Sequence, residues 1–150
     1  MRAQGIEAEF HQKPLSEEQL SNLFFRFIQV EQQSWKGQLS LGIDQPPMRD
    51  FYQRLLKRVN RKGELRAVFL RRDGVDLAYA FGAAIGKRFR GYQLSQVEKF
   101  RPLMLGNMAQ YLLIQSLCEE GLEVYDLGME MAYKHRWAEE LSFTHEWFLP

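Results

Sequence analysis

Three stretches in which apolar and polar residues alternate, residues 64–71, 75–85 and 88–95, are separated only by Arg72-Asp73-Gly74 and Gly86-Lys87. Asp-Gly and Gly-Lys supply the positive backbone torsions that tight hairpins require. The pattern therefore predicts a continuous antiparallel meander. Phe89, Tyr92 and Leu94 are its prominent apolar residues in the third strand. Residues 105–118 then place apolar side chains on more than one helical face, which predicts a helix packed deeply against that meander.

Upstream, Ser16-Glu17-Glu18-Gln19 is a capping-box pattern. Leu20, Leu23, Phe24, Phe27 and Ile28 follow the spacing of one helical face, so a helix is expected to about Gln33, with Gly37 stopping it or opening a loop. After Pro46-Pro47, the residues Phe51, Tyr52, Leu55, Leu56 and Val59 mark a second amphipathic helix, closed by basic residues and by Gly63. Residues 5–11 alternate weakly as a short first strand. Gly121 ends the long helix, residues 123–127 read as a short buried strand, and residues 142–149 alternate as a final strand. The order is α+β, and it predicts a mixed, mostly antiparallel sheet with helices on both faces.

A chain of 150 residues with 45% hydrophobic and 13% aromatic content has material for one ordinary core. The formal charge of +1 gives no overall pull toward an acidic partner. Cys118 is the single cysteine, which excludes an internal disulfide and a cysteine-rich metal site and fits a reducing cytoplasm. His11, His135 and His145 lack metal-ligand spacing, so no metal is expected. The opening residues have no apolar run suited to a signal peptide, and a soluble, intracellular chain with no membrane span is expected. The cations between Lys57 and Arg72, with Lys87, Arg88 and Arg90, are explained by helix ends and hairpins better than by a nucleic-acid face.

Two elements carry a family resemblance. Tyr125-Asp126-Leu127-Gly128 followed by Tyr133-Lys134-x-x-Trp137, and Glu31-x-x-Ser34-Trp35-Lys36-Gly37 a hundred residues earlier, resemble motifs of the GNAT acyltransferase superfamily. The branch they resemble is bacterial, is associated with cellulose biosynthesis, and is distantly similar to the Fem peptidyltransferases. The resemblance covers residues 16–147 and implies a single GNAT-like domain over residues 1–150, a fold that agrees with the element order read from periodicity. Relatives in this branch often carry a further N-terminal half of similar fold, so the chain reads as the C-terminal half of such a protein.

The resemblance implies an N-acyltransferase that moves an acyl group from acyl-CoA, acetyl-CoA first, to an amine. The donor would lie where two central strands splay. Its phosphates would meet the start of the helix after the third hairpin strand, where Gly106 and Asn107 stand, with Lys99 and Arg101 supplying charge. The glycine-rich pyrophosphate loop of the wider superfamily is absent: Leu103, Met104 and Leu105 stand there. Amine acylation needs a base, donors for the developing oxyanion and an acid for the thiolate. Glu130, after Gly128 at the strand mouth, is the first candidate base, set against a simple surface pair with Lys134. Glu31 is the second. Lys134 is the candidate for phosphate or oxyanion and Tyr133 a further catalytic candidate, the rings of Tyr133 and Trp137 would wall a substrate channel or simply cap the core, and Trp35 and Lys36 are candidates for acceptor binding beside Glu31. Asp126 reads as the cap of its own turn.

Three readings stay open at this point: the acyltransferase, a noncatalytic module of the same fold in polysaccharide or envelope biosynthesis, and a Fem-like transferase using aminoacyl-tRNA. The expected acceptor is a small-molecule or peptidoglycan- or polysaccharide-precursor amine, and a homodimer is compatible with the sequence.

Overall fold

The computed structural model describes residues 5–143. Five strands form one sheet in sequence order: β1 (Glu7–His11), β2 (Leu65–Arg72), β3 (Val75–Ile85), β4 (Arg88–Gln96) and β5 (Val124–Asp126). The first four pair antiparallel and β5 joins β4 in parallel. The meander is thus present as the turn chemistry predicts. At its first hairpin Asp73 and Gly74 both take positive φ, 52° and 78°, which matches the right-handed twist of the flanking strands.

Helices α1 (Glu17–Gln32), α2 (Trp35–Gln38) and α3 (Met48–Arg61) precede β2, and α4 (Leu105–Glu119) lies between β4 and β5. Ser16 and Gln19 cap α1 reciprocally, as the sequence pattern requires. α1 and α3 cover one sheet face through a core around Phe27, Phe69, Tyr79 and Phe81, with Phe27 stacked 4.9 Å from Phe69 and 4.5 Å from Phe81. α4 covers the other face over Val68, Leu70, Ala78, Ala80 and Phe89. The α+β layering with helices on both faces follows from strands whose side chains are apolar in both directions.

α1 ends at Gln32 with Gln33 as its C-cap, as expected, and Ser34 then caps a separate turn, α2, that contains Gly37. A 3-10 segment, Glu98–Leu103, intervenes before α4. β5 is shorter than expected and exposed to partly buried, since nothing pairs its outer edge among the described residues. Beyond β5, the stretch that carries Tyr133 and Lys134 forms a single 3-10 turn, Ala132–Arg136. The final strand, residues 142–149, falls almost wholly outside the described residues; Ser142 and Phe143 are irregular. Among the described residues no helix is long and apolar enough to cross a membrane.

Candidate functional site

β5 stays with β4 for only three residue pairs, ending at Arg90 and Asp126. Just beyond, β4 carries one extra residue: Gly91 faces Gly82 and Gln93 faces Phe81, leaving Tyr92 without a partner. A bulge of this kind bends its strand and ends regular pairing. From Gly91 onward the outer edge of β4 has no strand neighbour among the described residues. Val97 donates its N–H to Leu77 on the β3 side at 2.8 Å. Antiparallel alternation therefore turns the backbone groups of Leu94 and Gln96 to the open edge.

On the α1 and α3 side, this edge is underpinned by a polar network. Glu31, at the end of α1, is 0% exposed. Its carboxylate accepts from the Tyr79 hydroxyl at 2.9 Å and the Ile43 N–H at 3.3 Å, and pairs with Lys36 Nζ at 3.1 Å. Burial, then the neighbouring carboxylate, push the Tyr79 hydroxyl pKa well up. Lys36 continues to the Gln93 side-chain oxygen at 3.0 Å and the Leu94 carbonyl at 3.1 Å. Gln93 Nε2 donates to the Tyr52 hydroxyl at 2.7 Å, and burial holds that hydroxyl above its ordinary pKa.

The local backbone is shaped to let Glu31 in. A Cβ on Gly42 would overlap the Glu31 carboxylate arm, and one on Gly37 would strike the α1 backbone. Glu31 and Trp35 do not line one pocket as their spacing suggested: Trp35 belongs to a new turn and is 49% exposed.

Where the open edge begins, Asp126 Oδ1 accepts from Gly128 N–H at 2.8 Å and pairs with Arg90 at 2.6 Å. Burial alone would raise its carboxyl, but the guanidinium and the amide hold it below the usual range. Asp126 caps its turn, as expected. Lys134 Nζ donates to the carbonyls of Leu127 at 2.7 Å and Met129 at 2.8 Å, which ties the 127–129 turn closed. Desolvation, then Arg90, lower its pKa. Glu130 is exposed and pairs with His135 at 3.1 Å, not with Lys134. Tyr133 is 45% exposed and Trp137 partly buried.

The two motif segments thus meet the same strand, Lys36 at Gln93 and Leu94 within its open stretch, and Asp126 with Gly128 at Arg90 where that stretch begins. Among the described residues no hydrogen bond or ion pair joins one segment to the other directly.

Beside the same edge, α4 begins. Gly106 is buried, and its N–H donates to the Gln96 side-chain oxygen at 2.6 Å. A Cβ there would lie 3.0 Å from Leu94 Cδ2, so the glycine permits close packing of helix on strand. Asn107 is partly exposed in the first turn, and Lys99 and Arg101 are exposed on the preceding 3-10 segment, with Arg101 3.2 Å from Glu98. Tyr52, Tyr79, Arg90 and Gln93 were not singled out from the sequence as site residues. No local motif marks them in that role, because it arises from partners 36 to 57 residues away.

A family model described as an acetyltransferase (GNAT) domain matches residues 3–135. No curated protein sequence matches the chain. Among solved structures, an aminoglycoside acetyltransferase from an uncultured soil metagenomic sample, in complex with sisomicin, shares 14% identity over 97% of both chains at a TM-score of 0.64. The PaiA N-acetyltransferase of Thermoplasma acidophilum, in complex with coenzyme A, shares 15% identity over 87% of this chain and 86% of its own, at 0.54. The aminoglycoside acetyltransferase AAC(6')-Iy, bound to a bisubstrate analogue of CoA and acetylneamine, shares 10% identity over 96% and 98%, at 0.59.

Proposed function

The chain belongs to the GNAT acetyltransferase family, and from that premise we propose that it is an N-acyltransferase with acetyl-CoA as donor and a primary amine as acceptor. The observation that carries this reading is the open, bulged edge of β4 beyond Arg90. An unpaired strand edge presents N–H and C=O groups to any extended amide chain. The pantetheine arm of CoA, with its two amides, is such a chain. Solved structures of similar fold hold CoA or a CoA analogue.

In this reading the first turn of α4, with Asn107 and the nearby Lys99 and Arg101, faces the donor phosphates, where helix N–H groups and cations favour negative charge. The amine attacks the thioester carbonyl, forming the C–N bond as the C–S bond breaks. The amine proton passes to a base and the thiolate takes up a proton. The exposed Glu130–His135 pair, at the mouth of β5, is the base we assign, and Tyr133 the acid. Glu31 is excluded from that work by its complete burial and its full set of partners. Lys134 shapes the turn that carries Glu130. The finer likeness to the cellulose-associated branch rests on the two motifs alone.

Thermal unfolding with acetyl-CoA, a longer acyl-CoA and free CoA tests the donor, because a ligand that binds only the folded state at 100 times its Kd stabilises by about 2.7 kcal/mol. A rise in Tm with acetyl-CoA is expected. Thiol release with a small primary amine, an aminoglycoside and a peptide amine then tests transfer. No shift with any of these donors at millimolar concentration overturns the reading and favours a noncatalytic module or an aminoacyl-tRNA donor.

A further inference from the structure

The network under the open edge has a fixed direction. A lysine ammonium only donates, so the Gln93 atom 3.0 Å from Lys36 Nζ is the amide oxygen. The Gln93 amide nitrogen must then face Tyr52, 2.7 Å away, and the tyrosine oxygen is the acceptor of that bond. Lys36 has three N–H groups and three acceptors: Glu31, Gln93 and the Leu94 carbonyl. The chain from Lys36 through Gln93 to Tyr52 therefore hands on donors at every step. It ends at the Tyr52 hydroxyl proton, for which the described residues offer no acceptor. The Tyr52 ring is fixed by edge-on packing against Phe51 at 5.2 Å and Phe81 at 6.0 Å. Its hydroxyl sits beside Gln93, the residue that follows the extra residue of the β4 bulge.

We infer that the Tyr52 hydroxyl donates a hydrogen bond to the acyl carbonyl oxygen of the bound thioester, with Gln93 and Lys36 as positioning residues that keep its proton turned away from Gln93. The inference rests on the acyl-CoA reading above. A donor prefixed in this way strengthens as charge develops on the oxygen, and loss of one such donor typically lowers turnover about 10²–10³-fold. Burial of the phenol, which raises its pKa, keeps that proton in place at neutral pH.

The deciding measurement is isotope-edited infrared spectroscopy of acetyl-CoA labelled at the thioester carbonyl, bound to the protein without an acceptor. The carbonyl stretch should fall below its value in water-free solvent for the parent and return toward it in Tyr52→Phe. Gln93→Glu gives a sharper test. The carboxylate it introduces still accepts from Lys36 but also accepts from Tyr52, pulling the tyrosine proton inward, so the stretch should again return although the fold and the pairing survive. Donor affinity and Tm, measured in parallel, establish that each variant is folded and saturated with acetyl-CoA when its spectrum is taken. A shift retained in Tyr52→Phe overturns the inference while leaving the acyl-CoA reading intact. A parent that binds no acetyl-CoA overturns both.

Discussion

A carboxylate removed from water must receive its hydrogen bonds from the protein, and Glu31 receives them from a phenol, an amide and an ammonium that lie 48, 12 and 5 residues away. Removing one member of a buried pair costs more than the pair contributes, because the other charge stays buried and unpaired. Glu31→Ala should therefore destabilise the fold by about 3–5 kcal/mol, read from the denaturant midpoint. A change below ~1 kcal/mol would mean that Lys36 swings out to water and that the network contributes little. The sequence brought Glu31 and Lys36 forward through a motif, yet it suggested a shared pocket with Trp35. Which carboxylate is free and which is spent depends on Tyr79 and Ile43, and no spacing within the motif reports them.

The elements follow local chemistry closely where hydrogen bonds are local. The capping box of α1, the Asp73-Gly74 hairpin and the alternation of β2 to β4 all formed where periodicity and turn residues placed them. What the sequence could not show is where pairing stops. The bulge at Gly91 and Tyr92 and the early departure of β5 are decided by cross-strand fit. Gly82 shows this directly: a Cβ there would run into the Arg90 carbonyl of the neighbouring strand. Gly106 was expected to clear space for phosphate, but its missing side chain makes room for Leu94. Gly106→Val should accordingly lower stability by about 1–3 kcal/mol, the usual cost of overpacking. A variant with parent stability and weakened acetyl-CoA binding, by calorimetry, would instead restore the phosphate role.

On the scale of the whole molecule, one ion cluster ties β1, α1, β2 and β3 together. Arg26 on α1 reaches Asp76 at 2.8 and 2.9 Å and Glu9 at 2.7 and 3.1 Å, lies 4.0 Å over the Phe69 ring, and shares Glu9 with Arg71 at 2.8 Å. The hydrogen bond from Arg26 holds the Glu9 carboxyl below its ordinary value of 4.5, against the effect of burial. Burial likewise holds neighbouring His11 below 6.5. For both groups the unfolded chain binds its proton at a higher pH than the folded one, so folding stability falls as pH falls. The two windows differ. His11 should begin the loss below about pH 6.5, and Glu9 should add to it below about pH 4.5, each continuing until the folded group is itself protonated. Denaturant midpoints between pH 8 and pH 3.5 should therefore decline in the parent. The difference between parent and His11→Gln should change mainly across the upper window. Arg26→Gln removes the cation that lowers the Glu9 carboxyl, so the parent should lead it most above pH 4.5, and the lead should shrink below. If the Arg26→Gln midpoint stays parallel to the parent through the lower window, the cluster holds the sheet to α1 by packing on Phe69 and not by its charge.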